Sequence, residues 1–188
     1  MKVKILSAIC KGFQALPVTI TVTCEQGQGL KISGLITQTI HRDLSRIQLA
    51  IINCGLGFKD KKIHIEVEPA IYENAEPLML PLAIGMIISS EQFPISKLLA
   101  KYLIAGGLGV TGNFHGFEAM HLVCKLASQK NVRGIILPSA DNMISDFDYS
   151  VPLFQFKNLN TLVRMFKEDR SLKKIELPQI LFEQLNFN

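Results

Sequence analysis

The sequence has 188 residues, of which 48% are hydrophobic, so it can fill one substantial core and suits a single domain better than two. Its best candidate for a membrane helix, residues 78–88, is shorter than the roughly 18 apolar residues required and is interrupted by Pro81 and Gly85. Residues 1–5 are basic but follow a strand-like pattern instead of a signal-peptide core, so we expect a cytoplasmic protein with no membrane partner. The net charge of +4 permits weak attraction to nucleic acid without establishing it.

The first third of the chain has the pattern of β-strands. Residues 3–6 and 18–23 alternate β-branched and polar side chains, which predicts two antiparallel strands. Residues 26–29, Gln-Gly-Gln-Gly, supply a turn, and residues 30–35 continue as a third strand. The three segments together predict a β-meander at the start of the domain.

A change of period at Thr39 predicts a helix. The apolar residues that share one face of it are Ile40, Leu44, Ile47 and Ile51, while Arg42 and Arg46 lie elsewhere on its surface. The helix is expected to end near Gly55, because glycine commonly terminates helices. Residues 61–68 then alternate as a strand up to Pro69, and residues 73–76 form a polar loop.

Residues 78–88 are apolar on nearly every side, which predicts a central helix with Pro81 in its first turn. The remaining predicted elements are a strand at 102–106, a helix at 117–130, a buried strand at 132–138, a helix at 141–147, an edge segment at 151–154 and a helix at 159–166. In the helix at 117–130, the residues expected to face inward are Met120, Leu122, Val123 and Leu126. The order of elements predicts an α/β (α+β) fold, a mixed sheet with helices packed against it.

Several segments, in order and spacing, resemble the amino-terminal domain of the magnesium-chelatase-related competence ATPases. They are Ser7-Ala8, Leu16-Pro17-Val18, Gly34-Leu35, Ala50-Ile51, Asn53-Cys54-Gly55, Pro69-Ala70, the run Leu-Pro-Leu-Ala-Ile-Gly at 80–85, and Gly-Ile-Ile-Leu-Pro at 134–138. The resemblance extends from about residue 2 to about residue 166. It implies the fold of the Lon protease catalytic domain and of the second domain of ribosomal protein S5. We therefore expect one such domain at 1–166 and a charged carboxyl-terminal extension of it at 167–188.

In the family that the chain resembles, this domain precedes an AAA+ ATPase module, and the assembled ring is associated with DNA branch migration during transformation. The sequence contains no phosphate-binding loop of the form Gly-x4-Gly-Lys-Ser/Thr, so the ATPase chemistry is not carried over. The chain is then either a piece of a longer protein or a free-standing paralogue. The resemblance implies a protein partner, for which such an ATPase is the candidate.

The Lon-like fold can carry a serine–lysine dyad, in which lysine is the base for a serine nucleophile. The resemblance places the serine just before the helix at 80, where this chain has Pro77, and the lysine near the start of the helix after Phe117, where it has His121. Lys125 lies one turn further on. Because proline offers no nucleophile, we expect no catalytic residues and a degenerate dyad at Pro77 and His121.

The sequence patterns that could indicate a cofactor or metal site are incomplete. Residues 107–112 match Gly-x-Gly-x-x-Gly, the dinucleotide fingerprint, but residues 113–116 separate them from the next helix, so a tight hairpin is the preferred interpretation. The four histidines (His41, His64, His115 and His121) and the four cysteines (Cys10, Cys24, Cys54 and Cys124) lack the paired spacing of metal sites. We expect no cofactor, no metal, and buried free thiols.

Basic residues leave nucleic-acid binding open as an alternative. The candidates for contact with nucleic acid or a partner are Arg42, Arg46, Lys61 and Lys62, with further basic residues at Lys59, Lys167, Arg170, Lys173 and Lys174. Acidic neighbours dilute these runs, and the sheet lacks a pattern of stacking aromatic residues. The favoured hypothesis is therefore a non-catalytic protein-interaction or assembly module, and the alternatives are a nucleic-acid-binding accessory domain, a degenerate peptidase or a dinucleotide-binding protein.

Overall fold

The structure, a computed structural model, describes residues 1–90, 99–139 and 151–168, with side chains described up to residue 164. The predicted helix at 141–147 and most of the charged extension at 167–188 lie outside the described residues. The strands are β1 (Lys2–Lys11), β2 (Gln14–Gln26), β3 (Gly29–Leu35), β4 (Lys61–Ile71), β5 (Tyr102–Ile104), β6 (Gly107–Leu108), β7 (Phe114–His115), β8 (Gly134–Pro138) and β9 (Leu153–Phe156). The helices are α1 (Ile40–Asn53), α2 (Met79–Ser89), α3 (Met120–Ser128) and α4 (Leu159–Glu168).

Seven of the described strands form one mixed sheet in the order β3-β4-β2-β1-β5-β8-β9. Strand β2 is antiparallel to both β1 and β4, whereas the pairs β3–β4, β1–β5, β5–β8 and β8–β9 are parallel. Six strands of this sheet thus run in one direction and β2 runs in the other. The predicted α/β class with a mixed sheet is confirmed, and the edge position predicted for residues 151–154 is confirmed for β9.

The β-meander predicted for the start of the chain is wrong. Strands β1 and β2 do form an antiparallel hairpin, with an unbroken register from Lys2 opposite Thr23 to Lys11 opposite Gln14. Strand β3, however, pairs with β4, and β4 lies between β3 and β2. Parallel neighbours need a crossover connection, and α1 provides it between β3 and β4. Local alternation predicts each strand but cannot show which later strand separates two earlier ones.

The sheet buries apolar side chains on both faces. The larger core contains alternate residues of the strands, such as Ile5, Ile104 and Ile136, packed with residues of α1, α2 and α4. The intervening residues of the same strands, including Leu103 and Ile135, join a second cluster with α3. Because successive side chains of a strand point to opposite faces, α3 lies on the face opposite α1 and α2.

Helix α2 is the central element predicted from residues 78–88. All eleven of its residues are buried, and it follows a 3₁₀ turn at Glu76–Leu78. Helix α1 is amphipathic as predicted, with Leu44, Ile47 and Ile51 buried and a positive φ at Gly55 just after its end. Among the described residues, no helix is both long enough and apolar enough to cross a membrane.

Several predicted boundaries change, of which three are described. Strand β4 continues past Pro69 to Ile71, because Leu35 pairs with Ile71 beyond a bulge in β3. Helix α3 begins at Met120 and not at residue 117, since Ala119 has φ +60° and cannot belong to a helix; Leu122 is only half-buried. Helix α4 extends to Glu168, two residues beyond its predicted end.

Candidate functional site

The position that the family resemblance assigns to a catalytic serine lies in the 3₁₀ turn between β4 and α2. The turn is held against the segment that follows β5: the Gly106 N–H donates to the Pro77 carbonyl at 2.8 Å, and the Leu80 N–H donates to the Gly106 carbonyl at 2.9 Å. This places the turn at the carboxyl ends of β4 and β5. In open α/β sheets, ligand sites form preferentially at such ends.

A chain of charged side chains surrounds this turn. Arg46 Nη2 of α1 donates to Glu76 Oε2 at 2.9 Å and lies 3.6 Å from Asp43 Oδ1. Thr39 Oγ1 donates to Asp43 Oδ2 at 2.5 Å. On the other side, His115 Nε2 lies 3.2 Å from Glu76 Oε1, although within the described residues that oxygen accepts no well-directed hydrogen bond. The cluster therefore links α1 to the turn before α2 and brings β7 beside that turn.

Pro77 is buried in this turn, and its carbonyl oxygen accepts the hydrogen bond from the Gly106 N–H. His121 is exposed in the first turn of α3, which lies on the opposite face of the sheet from α2. Lys125, one turn further along α3, is exposed as well. The two positions assigned to the dyad thus carry a residue without a nucleophile and a histidine at the surface of another helix.

The segment 107–112 is a hairpin, which confirms the preferred interpretation. Strands β6 and β7 pair antiparallel, and the Gly109 N–H donates to the Asn113 carbonyl at 2.9 Å. A β-carbon at Gly107 would come within 2.3 Å of the His115 ring and 2.5 Å of Glu76 Oε1. Glycine at 107 is therefore required for close packing against the charged cluster, and the segment does not open directly into a helix.

The candidate basic residues do not form one patch. Arg42 and Arg46 belong to α1, which begins after the end of β3. That end lies next to Ile71, the last residue of β4, whereas Lys61 and Lys62 are the first two residues of β4. The two pairs thus lie toward opposite ends of β4. Arg46 was expected on the exposed side of α1, but its side chain is only 25% exposed and is paired with Glu76. Arg42 and Lys62 are exposed, and Lys61 is half-buried.

The reverse face of the sheet carries α3 over β1 and part of β2, and another area of that face is formed by residues of β2, β3 and β4. Its side chains line a shallow cavity of about 350 Å³: Thr21, Thr23, Glu25, Lys31, Ser33, His64, Ile65 and Glu66. Acidic and basic residues are mixed there, and Glu25 lies opposite Lys62 in the register of β2 and β4. Such cross-strand pairs stabilise a solvated sheet face, and the mixed signs do not favour a nucleic-acid surface.

The four cysteines are free, as predicted, but only Cys24 and Cys124 are buried. Cys10 and Cys54 are half-buried, and burial raises the pKa of each thiol above its ordinary value. A raised pKa keeps a thiol protonated at neutral pH, where the thiolate is the reactive form. The four histidines lie on separate elements: His41 on α1, His64 on β4, His115 on β7 and His121 on α3.

Sequence reasoning missed the role of Asp43, Glu76 and His115. Glu76 is 30 residues from Arg46 in sequence. No periodicity or local motif links residues so far apart. The signal available was slight: an acidic residue directly before a proline at a helix start, and a histidine after a glycine-rich turn.

Comparison with known proteins identifies the family. The family model described as subunit ChlI of Mg-chelatase matches residues 18–141. The chain is 37% and 36% identical, over 107 residues, to the uncharacterized protein YifB of Salmonella typhimurium and of Escherichia coli, and 29% identical over 135 residues to the competence protein ComM of Haemophilus influenzae. These matches cover 56%, 56% and 71% of the chain but only 21%, 21% and 26% of the relatives.

The chain therefore spans about a fifth to a quarter of the length of the curated relatives it matches. The matched part is the amino-terminal part of those relatives, as the sequence resemblance indicated. Since the family match covers more than half of the chain, the chain belongs to the family of subunit ChlI of Mg-chelatase.

Proposed function

We propose that this chain is a non-catalytic protein-interaction or assembly module that works with an AAA+ ATPase in DNA processing. The observation that carries the proposal is the turn at Glu76–Leu78, where the position of a dyad serine is taken by the buried Pro77. Around that turn Arg46 pairs with Asp43 and Glu76, and His115 lies beside Glu76, so that α1, the turn and β7 meet there. This arrangement supports a scaffold whose pocket has lost its chemistry.

We further propose that the scaffold has the fold of the second domain of ribosomal protein S5 and of the Lon protease domain. The mixed sheet, with a central buried helix after a strand and a hairpin before α3, is consistent with it. Fold alone does not determine function, so the link to DNA processing depends on the relatives. One of them is named a competence protein, and all three extend well beyond the matched region.

The test of the proposed partner is affinity purification of the full chain from its own cells, with and without nuclease treatment. We expect mass spectrometry to identify an AAA+ ATPase in amounts that nuclease treatment does not reduce. Recovery of nucleic acid alone, or of an ATPase only while nucleic acid is intact, would contradict the proposal and favour the nucleic-acid-binding alternative.

The non-catalytic part is tested separately with a fluorophosphonate probe, which forms a covalent adduct with activated serine nucleophiles. We expect no adduct on the folded chain, while a serine hydrolase labelled in parallel reacts completely. A stoichiometric adduct on any serine of the chain would overturn the interpretation of Pro77.

A further inference from the structure

The β6–β7 hairpin is attached to the carboxyl end of α1. The side-chain amide of Asn53, the last residue of α1, donates to the Val110 carbonyl in the turn of the hairpin at 2.8 Å. Gly112, in the same turn, has φ +84°, and a β-carbon there would lie 3.3 Å from Cys54 Sγ, just after α1. Glycine at 112 therefore lets the turn lie directly against the end of α1.

The other side of the hairpin holds the start of α4. The Leu159 N–H donates to the Gly112 carbonyl at 2.8 Å, and an antiparallel bridge joins the residues just before and after this bond. The Phe114 N–H donates to the Lys157 carbonyl, also at 2.8 Å. The first N–H groups of a helix have no partner within the helix, so the bond from Leu159 to the hairpin fixes where α4 begins.

The base of the hairpin lies at the charged cluster. His115 Nε2 is 3.2 Å from Glu76 Oε1, and Glu76 accepts a hydrogen bond from Arg46 of α1 through its other carboxylate oxygen. Gly107, opposite His115 in the hairpin, packs closely against both the His115 ring and Glu76. The hairpin is thus connected to α1 twice, directly at Asn53 and through Glu76 at Arg46, about two helical turns earlier.

The hairpin lies between α1 and α4. A β-carbon at Gly112 would meet Cys54 Sγ at 3.3 Å and Leu159 Cβ at 3.5 Å. Among the described residues, the two helices make few direct contacts. A groove of about 430 Å³ separates the end of α1 from the first turns of α4, lined by Cys54, Asn158, Asn160, Thr161, Val163 and Arg164. At this end of the two helices, the hydrogen-bonded backbone of the hairpin is therefore the connection between them.

We infer that the β6–β7 hairpin is a conformational relay, an element through which a shift of α1 reaches α4 and a shift of α4 reaches α1. The same short turn is bonded to Asn53 on one side and to Leu159 on the other, so displacing either helix disturbs the contact that holds the other. The effect is reciprocal, because a coupling free energy between two sites acts equally in both directions. The relay is a property of the fold and does not depend on the proposed partner.

Amide hydrogen exchange of the full chain, resolved by NMR, tests the relay. The Asn53→Ala variant removes the donor to Val110 without altering α4, and Asn53 is exposed, so the fold is expected to be retained. We expect the Leu159 N–H to exchange at least fivefold faster in this variant, because a loosened hairpin opens more often. The Ile135 N–H of β8 is expected to exchange at the wild-type rate.

The opposite direction is tested with Asn158→Ala. The Asn158 side chain accepts a hydrogen bond from the Thr161 N–H in the first turn of α4. We expect its removal to increase at least twofold the exchange of the Gly55 N–H at the end of α1. Asn131→Ala, in the exposed loop after α3, is the matched control and is expected to change none of these rates.

A double variant tests whether the two attachments to α1 hold the same element. We expect Asn53→Ala combined with His115→Ala to accelerate exchange of the Leu159 N–H by more than the product of the two single increases, because either attachment alone retains the hairpin. An increase equal to that product would contradict the relay.

Two results of the single variant would also overturn the relay. If Asn53→Ala accelerates exchange of the Gly109 N–H in the hairpin but not that of Leu159, the hairpin moves without α4. If the rates of Leu159 and Ile135 rise equally, the substitution loosens the whole fold and transmits nothing specific. Circular dichroism of each variant establishes that it is folded before exchange is measured.

Discussion

At the scale of single residues, Arg46 contributes to the fold and not to a basic surface. Its guanidinium contacts two carboxylates, those of Asp43 and Glu76, and is about a quarter exposed. We expect Arg46→Met to lower the free energy of unfolding by about 1 kcal/mol, a modest value because solvent screens half-buried ion pairs. Arg42→Met, one turn earlier and exposed, is the control and is expected to change it by less than about 0.5 kcal/mol. Urea denaturation measures the free energy of unfolding of both variants. Equal losses in the two variants would contradict a structural role for Arg46.

Gly34 is required by the path of β3. It has φ +75°, and a β-carbon there would lie 1.9 Å from the carbonyl oxygen of Val67 on the neighbouring strand. Backbone atoms cannot move aside as a flexible side chain can, so we expect Gly34→Ala to cost about 3 kcal/mol or to prevent folding.

The control for Gly34 is Gly57→Ala in the loop after α1. A β-carbon at Gly57 would meet no atom within 4 Å. The melting temperature of the Gly57→Ala protein is expected to stay within a few degrees of that of the wild type. A Gly34→Ala protein as stable as the Gly57→Ala protein would show that β3 and β4 are not paired as described.

At the scale of elements, α2 packs unusually close to the sheet at Gly85. A β-carbon there would lie 2.6 Å from Val22 Cγ2 of β2 and 3.3 Å from Ile5 Cδ1 of β1. We expect Gly85→Val to destabilise the protein by about 2 kcal/mol or more, because overpacking a filled core forces side chains out of their rotamers. Ser45→Val on the exposed face of α1 is the matched control and is expected to have little effect. Similar denaturation midpoints for the two variants would contradict the central position of α2.

The elements differ in how far the sequence predicts them. Helix α1, helix α2 and strand β8 have strong local patterns, and each appears where the pattern places it. The pairing of β3 with β4 is a long-range property, since the partners are joined through a 14-residue helix. The charged cluster at Glu76 is similarly non-local, and the sequence indicates only Pro77 beside it. The start of α3 depends on the left-handed conformation of Ala119, which its residue type does not suggest.

At the scale of the whole molecule, the separation of Arg42 from Lys61 and Lys62 argues against a continuous nucleic-acid surface. We expect the chain to bind a labelled DNA duplex no more tightly than about 10 µM near physiological salt, the range of weak non-specific attraction. Replacing Arg42 and Lys62 together by methionine is expected to leave that affinity within about twofold, because we place neither side chain in a surface that contacts phosphates. Fluorescence anisotropy of the labelled duplex at several salt concentrations measures the affinity of each protein. Submicromolar binding that disappears in the double variant would favour the accessory nucleic-acid role.

The most direct test of the account is the rate of ATP hydrolysis by the co-purified AAA+ ATPase, measured as the chain is added in increasing amounts. We expect a saturable change of at least twofold with the wild-type chain, and no change with an unrelated protein of similar size and charge added in the same amounts. An ATPase rate that is the same with and without the wild-type chain would contradict the central claim that this domain acts by binding such an ATPase.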